Sequence, residues 1–190
     1  MSAAPTGLAR CRPALGTLVH VALRDDLPHD ALLAAVDAAF AAIEAVERAM
    51  SFHRPDSDLS RLNAAPAGAT LALDPGLVEV LRFSAELHAL SDGVFDPGVA
   101  DRLVAWDVLP RPAAAHPPLA GRATSIRDIE IVDARHVRVL RATCLDLGGV
   151  AKGFAVDRTI EALRAHGIAQ ADVNAGGDLR VLGEPRPVHV

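Results

Sequence analysis

The stretch that decides the fold is Asp146-Leu147-Gly148-Gly149-Val150-Ala151-Lys152-Gly153. It joins an apolar run, which predicts a strand over residues 144–147, to a helix predicted over residues 150–166. The two glycines allow close approach to the backbone, and the free N–H groups and positive dipole of a helix N-terminus favour phosphate. Lys152 adds a mobile positive charge in the first helical turn. The stretch therefore predicts a strand–turn–helix site for the phosphates of a nucleotide.

A second interpretation of the same stretch stays open, namely a plain helix-entry turn that carries a solvated lysine. The motif is not a Walker A loop, which has four residues between its first Gly and a Gly-Lys pair that Ser or Thr follows. Its glycines do not follow the dinucleotide-binding pattern either. Lys152 is nevertheless the single lysine among 19 basic residues, and a compact ammonium group is not equivalent to a planar guanidinium in a tight pocket.

Outward from this stretch, the sequence mixes strands and helices without strict alternation. Period-two alternation predicts strands, while helical spacing and capping residues such as Asp74-Pro75 predict helices. The predicted strands cover 17–23, 126–132, 136–141, 144–147, 171–174 and 178–182; the predicted helices cover 28–50, 75–90, 99–107 and 150–166, with a short helical turn at 58–63 and a proline-rich connection at 108–121. We therefore expect one α+β domain over residues 1–190, with a mixed or antiparallel sheet and packed helices.

Charge and cysteine content exclude several classes of protein. The 190 residues include 19 basic and 24 acidic ones, a net charge of −5, which argues against a broad nucleic-acid surface. Cys11 and Cys144 make neither a disulfide framework nor a zinc site. Residues 1–12 hold no apolar run of signal-peptide length, and no later segment is suited to span a membrane. As written, the sequence therefore predicts no nucleic-acid partner, no transmembrane segment and no evident export signal, and its location stays unknown.

Three further segments contain candidate binding residues. Within 91–97, Phe95 could flank a planar ligand while Asp96 binds a donor on it, or Phe95 is a core residue and Asp96 a helix cap. The small residues over 174–178 permit close approach by a ligand or simply form a tight turn. Ser and Asp over 51–63 are typical of helix caps. The eight histidines show no metal-ligand spacing, so no catalytic residue is assigned.

Taken in order along the chain, these segments resemble the ApbE family, the FAD:protein FMN transferases. The matching pieces are 15–17, 57–63, 91–97, Trp106, 146–153 with Asp157, and 174–178. They cover nearly the whole chain, and the most specific is Asp-Leu-Gly-Gly-Val-Ala-Lys-Gly at 146–153. The resemblance implies an ApbE-like, T-fold-related domain.

The resemblance also implies an activity. Family members bind FAD with its pyrophosphate at Mg²⁺, transfer the FMN half to a Ser or Thr hydroxyl of a target flavoprotein, and release AMP. Two alternatives are an FAD-binding or flavin-trafficking protein without turnover and a Mg²⁺-dependent FAD pyrophosphatase. Members of the family often work outside the cytoplasmic membrane, which leaves export open here.

Carried over residue by residue, the resemblance implies a set of ligand contacts. Gly149 stands where a backbone carbonyl reaches Mg²⁺, which suits a cation that prefers oxygen ligands. Leu15 stands where the family usually has Met beside the flavin. The positions that match FAD-contacting residues are Leu15, Phe52, Val94, Phe95, Asp96, Asp146 and Lys152.

The sequence departs from the family pattern at its C-terminal end. That pattern continues past 177–178 with a Thr-Ser-Gly segment, a His-containing Asp-Pro-x-Thr-Gly turn, and a late Asp and Thr whose side chains bind Mg²⁺. This sequence stops at Val190, and one backbone carbonyl cannot hold Mg²⁺ alone. We therefore expect it to be the N-terminal portion of an ApbE-type protein that lacks the C-terminal part.

Overall fold

Two antiparallel sheets and five α-helices account for the regular structure of residues 7–110 and 123–184, which the computed structural model describes. The sheets have strand orders β1-β2-β6-β7 and β3-β5-β4, and every pairing is antiparallel. The elements are β1 (Leu8–Ala14), β2 (Thr17–Leu23), α1 (His29–Met50), α2 (Asp58–Asn63), β3 (Thr70–Ala72), α3 (Pro75–Leu90), α4 (Ala100–Ala105), a 3₁₀ helix (Ile126–Asp128), β4 (Ile129–Ile131), β5 (His136–Val139), α5 (Ala151–Ala165), β6 (Ala171–Ala175) and β7 (Asp178–Leu182). This architecture confirms the predicted α+β fold.

The chain divides into two compact units. Within the described residues, unit 1 takes 7–47 and 152–184, and unit 2 takes 48–110 and 123–151. The prediction of a single domain over 1–190 stays a prediction. Of the proline-rich connection expected at 108–121, residues 111–121 lie outside the described residues. No helix in the described ranges is long and apolar enough to cross a lipid bilayer.

The core of unit 1 forms where period-two and helical patterns meet. Alternate residues of β2 point to one face of the sheet, and β6 places Val173 opposite Val21 on that face. Helices α1 and α5 cover it with apolar residues at helical spacing, such as Phe40 and Ile160. The fully buried strand and helix residues of this core include Val19, Val21, Leu23, Ala35, Val36, Ile43, Ile160, Leu163, Ala171 and Val173.

Two hairpins of unit 1 turn through two residues each, and all four turn residues have positive φ. Leu15 and Gly16 have φ of 54° and 72°, and Gly176 and Gly177 have φ of 62° and 104°. Such turns match the right-handed twist of the paired strands. In this left-handed conformation a non-glycine residue such as Leu15 lowers the stability of the fold by about 1–2 kcal/mol relative to glycine. Backbone geometry alone would therefore favour glycine at this position.

The first strand was not predicted from the sequence. Strand β1 pairs along its length with β2 and forms one edge of the sheet, and most of its residues are exposed. It contains Arg10, Arg12 and Pro13, which edge strands tolerate and which also prevent edge-to-edge aggregation. Those residues removed the alternating pattern by which a strand is recognised.

In unit 2 the capping signals are confirmed. Asp74 Oδ1 accepts hydrogen bonds from the backbone N–H groups of Gly76 and Leu77 at the start of α3. Gly93, with φ of 81°, donates its N–H to the carbonyl of His88 at 2.8 Å and ends the helix. Helix α4 is shorter than the predicted 99–107, because Trp106 is its C-cap and Asp107 turns the chain with φ of 56°.

The prediction of a strand over 126–132 is wrong for residues 126–128. Ser125 and Asp128 form a capping box, so residues 126–128 are a 3₁₀ helix and β4 begins only at Ile129. The next strand, predicted to reach 141, ends at Val139. Leu140 and Arg141 instead donate their N–H groups to the carbonyl of Asp128. A side-chain capping box therefore shortened the first strand, and backbone hydrogen bonds to Asp128 shortened the second.

The strand predicted over 144–147 is also wrong. The segment is extended and largely buried but pairs with no neighbouring strand among the described residues. A side chain takes the place of the missing strand: Asn63 donates its amide N–H to the carbonyl of Leu145 at 2.8 Å and accepts the N–H of Leu145 at 2.9 Å. Helix α5 then begins at Ala151.

Gly176 offers a test of the packing between the two hairpin turns of unit 1. A methyl group added at Gly176 would lie 2.6 Å from Thr17 Oγ1, whereas one added at Gly16 would meet no atom within 4 Å. We expect Gly16→Ala to lower the free energy of unfolding by about 1 kcal/mol through backbone strain, and Gly176→Ala to lower it by about 1–2 kcal/mol more through overpacking.

Urea denaturation of both variants measures the difference. In a double-mutant cycle, Thr17→Ala should recover part of the loss caused by Gly176→Ala and none of that caused by Gly16→Ala. Equal losses for the two glycine variants would contradict the packing described here.

Candidate functional site

The backbone before the glycine turn of unit 2 is held by side chains and loops. Asn63, at the end of α2, forms hydrogen bonds with both the backbone N–H and the backbone carbonyl of Leu145, and its side chain is buried. The carbonyl of Pro97 accepts the N–H of Asp146 at 2.8 Å, and Thr124 Oγ1 donates to the carbonyl of Cys144 at 3.2 Å. Since buried peptide groups require partners, these contacts determine where Asp146 lies.

Asp146 shapes the turn that follows it. Its Oδ2 accepts the N–H of Gly148 at 3.1 Å, and a methyl group added at Gly148 would lie 2.9 Å from the same oxygen. The carbonyl of Leu147 then accepts the N–H groups of Val150 at 2.9 Å and Ala151 at 2.8 Å. The carboxylate thus lies close to Gly148, and the two bonds to Leu147 form the turn that precedes α5.

The turn 91–97 lies against the glycine turn. A methyl group added at Gly149 would lie 3.6 Å from Phe95 Cε2, so the aromatic ring lies at contact distance from the place where a side chain at this glycine would begin. Val94 is 91% exposed, while Phe95 is half-buried. Two residues that the sequence placed in separate candidate segments, Phe95 and Gly149, are thus brought together.

Asp96 lies in a dense network of internal hydrogen bonds. Its Oδ1 accepts the N–H groups of Gly98 and Ile126, both at 2.9 Å, and its Oδ2 accepts the hydroxyl of Ser125 at 2.6 Å. His88 Nδ1 lies 3.2 Å from the same Oδ2. This carboxylate holds the 91–97 turn to residues 125–126 and does not cap α4, whose N-cap Val99 makes no side-chain hydrogen bond; its contact with FAD stays a prediction.

Phe52 is a core residue of unit 2. It is 9% exposed and packs in a cluster with Ala100 and Cys144. Burial, followed by the nearby carboxylates of Asp101 and Asp146, raises the pKa of the Cys144 thiol well above its usual range. The thiol stays protonated and is therefore a small apolar residue rather than a nucleophile.

In unit 1, Lys152 faces an acidic residue of the second hairpin. Its Nζ lies 4.0 Å from Asp178 Oδ2, and about one third of the lysine side chain is exposed. Asp178 directly follows the Gly176-Gly177 turn, and a methyl group at Gly153 would lie 3.9 Å from Asp178 Oδ1. The structure therefore brings the lysine of 146–153 to the start of β7, within the candidate segment 174–178.

Leu15 lies at the other hairpin turn of unit 1. It is partly buried and packs against the core of the unit. Thr17, two residues later, contacts Gly176 closely enough to exclude a side chain there. The two hairpin turns are thus neighbours, and the strained conformation of Leu15 is consistent with a functional role.

A metal centre is not complete among the described residues. Residues 7–110 and 123–184 contain no group of three or more His, Cys, Asp or Glu side chains that could hold a metal ion. The carbonyl of Gly149, assigned to Mg²⁺ by the family resemblance, is a single oxygen, and Mg²⁺ requires six. These residues do not by themselves fit a Mg²⁺ site.

Sequence reasoning missed three residues that organise this region. Asn63 lay in the predicted helical turn 58–63, within the family-matching segment 57–63, but was not selected as a site residue, and Ser125 and His88 belonged to no motif. Only the hydrogen bonds of Asn63 to Leu145, of Ser125 to Asp96 and of His88 to Phe95 identify them. Each partner is distant in sequence or on a different element, so local pattern contained no signal.

Replacement of Asn63 tests the buried clamp on Leu145. Asn63→Leu keeps a similar volume but leaves the N–H and carbonyl of Leu145 unpaired, so we expect the free energy of unfolding to fall by about 2–4 kcal/mol. Asn63→Asp keeps the acceptor but sets an anion against the carbonyl of Leu145, and should also destabilise. Chemical denaturation and amide exchange at Leu145 provide the measurements.

Arg61→Ala, on the same helix and at an exposed side chain paired with Asp58, is the matched control and should change stability by less than about 1 kcal/mol. An Asn63→Leu variant as stable as this control would refute the clamp.

This chain is similar to known proteins in sequence and in fold. The model of the ApbE family matches residues 15–190. A curated protein of Treponema pallidum named FAD:protein FMN transferase is 30% identical over 186 residues, an alignment that covers 92% of this chain and 51% of that protein. One of the same name from Rhodobacter capsulatus is 38% identical over 135 residues, covering 67% of this chain and 26% of that protein.

A solved structure shares the fold. The apo form of the flavinyl transferase ApbE from Pseudomonas stutzeri matches with a TM-score of 0.81 and 26% identity, over 96% of this chain and 63% of that one. This chain spans about half the length of the Treponema relative. Since the family model matches almost all of the sequence and the fold agrees with a solved member, the chain belongs to the ApbE family.

Proposed function

We propose that the protein containing this chain transfers FMN from FAD to a Ser or Thr hydroxyl of a target flavoprotein and releases AMP. The observation that carries the proposal is Lys152 in the first turn of α5, directly after the glycine turn and 4.0 Å from Asp178. A helix N-terminus beside a lysine favours a phosphate group. The relatives named FAD:protein FMN transferase support the same activity.

The reaction is a phosphoryl-group transfer with a simple balance of atoms. The acceptor hydroxyl oxygen forms a bond to the phosphorus of the FMN half, the bond from that phosphorus to the bridging pyrophosphate oxygen breaks, and AMP leaves with that oxygen. The hydroxyl proton passes to solvent or to a base. Positioning and neutralisation of negative charge supply most of the catalysis in such reactions, and Lys152 provides a positive charge for this purpose.

The surroundings of three residues support their proposed contacts with FAD. In unit 2, the exposed Val94 and the half-buried Phe95 offer an apolar surface beside the backbone of Gly149. In unit 1, Leu15 keeps an unfavourable backbone conformation at a hairpin turn. The remaining proposed contacts are Phe52, Asp96, Asp146 and Lys152.

Dependence on Mg²⁺ is part of the proposal, although the described residues alone do not complete a site for the ion. The carbonyl of Gly149 would supply one oxygen ligand. This incompleteness favours a second candidate function for the 190-residue chain itself, namely binding of FAD without turnover.

Binding of FAD to this chain tests the role of Lys152. We expect Lys152→Ala to weaken FAD binding by about 10–100-fold, because it removes one charge-assisted contact worth about 1.5–3 kcal/mol. Lys152→Arg should restore the binding only in part, since the guanidinium is wider. Flavin fluorescence during titration provides the dissociation constants.

Arg164→Ala removes the same charge from an exposed position in the last turn of α5 and is the matched control. It should leave the affinity within about twofold of the parent chain, which is the range of a distant screened charge. Equal effects of the two variants would mean that only net charge matters, and the phosphate role of Lys152 would be wrong.

Turnover is tested on the full product of the gene that encodes this chain. Incubation with FAD, Mg²⁺ and a peptide bearing an acceptor Thr should yield covalently bound FMN and AMP in equal amounts, and EDTA should abolish both. Mass spectrometry and chromatography of the nucleotides measure them. Free FMN with AMP would instead identify a pyrophosphatase, and FAD bound without products would identify a flavin-binding protein.

A further inference from the structure

His88 lies at the C-terminal end of α3 and is enclosed by the turn that follows it. The residue is 8% exposed. Its Nδ1 lies 3.0 Å from the carbonyl oxygen of Phe95 and 3.2 Å from Asp96 Oδ2. Both of these oxygens are acceptors, so Nδ1 must carry the hydrogen and donate to them. One N–H thus binds two consecutive residues of the turn.

The backbone of the turn is shaped to fit the imidazole. Gly93 has φ of 81°, and a methyl group added there would lie 3.4 Å from His88 Cε1. The turn thus passes beside the ring at this glycine, so that a side chain there would touch the imidazole. Ser91 Oγ accepts the N–H of Phe95 at 3.0 Å, which closes the turn from its other side.

The other hydrogen bonds of Asp96 join it to residues outside α3. Its carboxylate binds Gly98, Ser125 and Ile126, and these contacts join the turn to the 3₁₀ helix. Besides Ser91, the C-cap of the helix, His88 is therefore a side chain that joins the turn to α3, the longest helix lying wholly within unit 2. Without it, the bond between Ser91 Oγ and Phe95 and the backbone bonds of residues 91–94 remain, but the carbonyl of Phe95 loses this donor.

We propose that His88 is a positioning residue for flavin binding: through its Nδ1–H it fixes the Phe95–Asp96 peptide, and so places the side chains of Val94 and Phe95 for contact with the isoalloxazine ring. This role rests on the proposed FAD contacts of the 91–97 turn. His88 itself touches no ligand. Its contribution is to the order of the turn before FAD binds, which reduces the entropy lost on binding.

Three substitutions of His88 test whether a hydrogen-bond donor at the position of Nδ1 matters, as distinct from the volume and polarity of the side chain. Asn is short enough to set its amide N–H near the position of Nδ1, whereas Gln sets its amide near the position of Nε2. Leu fills a similar volume without any donor. His88→Asn should therefore preserve the bond to the Phe95 carbonyl, and His88→Gln and His88→Leu should lose it.

The experiment measures FAD affinity by flavin fluorescence and amide exchange at residues 94–98, for the parent chain and the three variants. We expect His88→Asn to bind FAD within about threefold of the parent, and His88→Gln and His88→Leu to bind at least about tenfold more weakly, with faster exchange at Phe95. Should His88→Leu fail to fold, His88→Gln, which is polar throughout, provides the same comparison.

The outcomes distinguish this inference from the function on which it rests. If the parent chain binds no FAD, the candidate function of FAD binding by the chain itself fails, and the exchange data alone decide whether His88 orders the turn. If the parent binds FAD and all three variants match it, or all three lose affinity equally, the positioning role of the Nδ1 donor is overturned.

Discussion

Buried peptide groups must have hydrogen-bond partners, and this constraint governs unit 2 of the protein. The extended segment 142–147 lies inside the unit without a strand beside it in the described ranges. Asn63 takes the place of that strand for Leu145, the carbonyl of Pro97 does so for Asp146, and Thr124 does so for Cys144. Because these three partners come from segments far apart in the chain, the position of the turn at Gly148–Gly149 depends on the folding of all three segments. The glycine turn is therefore the product of distant contacts as much as of its own sequence.

The parts of the fold that sequence predicted are those governed by local rules. Helix α3 begins at an Asp-Pro pair and ends at a left-handed glycine, and both signals act within a few residues. Strand β7 agrees with its predicted range because its turn supplies two glycines. The wrong or missing elements depend on partners far away: β1 takes its order from β2, and 144–147 is held by a side chain about eighty residues earlier. The apolar character of 144–147 indicated that the segment is buried. It did not indicate which group would form hydrogen bonds with its backbone.

In the candidate site, too, the residues recognised from local sequence differ from those that depend on distant partners. Lys152 and the glycines could be selected from the sequence because their chemistry is specific and their spacing is local. The proximity of Phe95 to Gly149 and of Lys152 to Asp178 could not be predicted from spacing in the sequence. These pairs join segments that are adjacent in the fold and separate in the chain. The family resemblance assigned roles to single residues. The structure adds Asn63, Ser125 and His88, which form hydrogen bonds with Leu145, Asp96 and Phe95.

The contrast between the two cysteines has a practical consequence for the chemistry of the protein in air. Cys144 is enclosed in unit 2 with its thiol held in the protonated form, and Cys11 is exposed on an edge strand of unit 1. Oxidants act on accessible thiolates, so they reach the folded chain through Cys11. A disulfide formed on storage would then link two molecules through their β1 strands and leave the glycine turn of each unaltered.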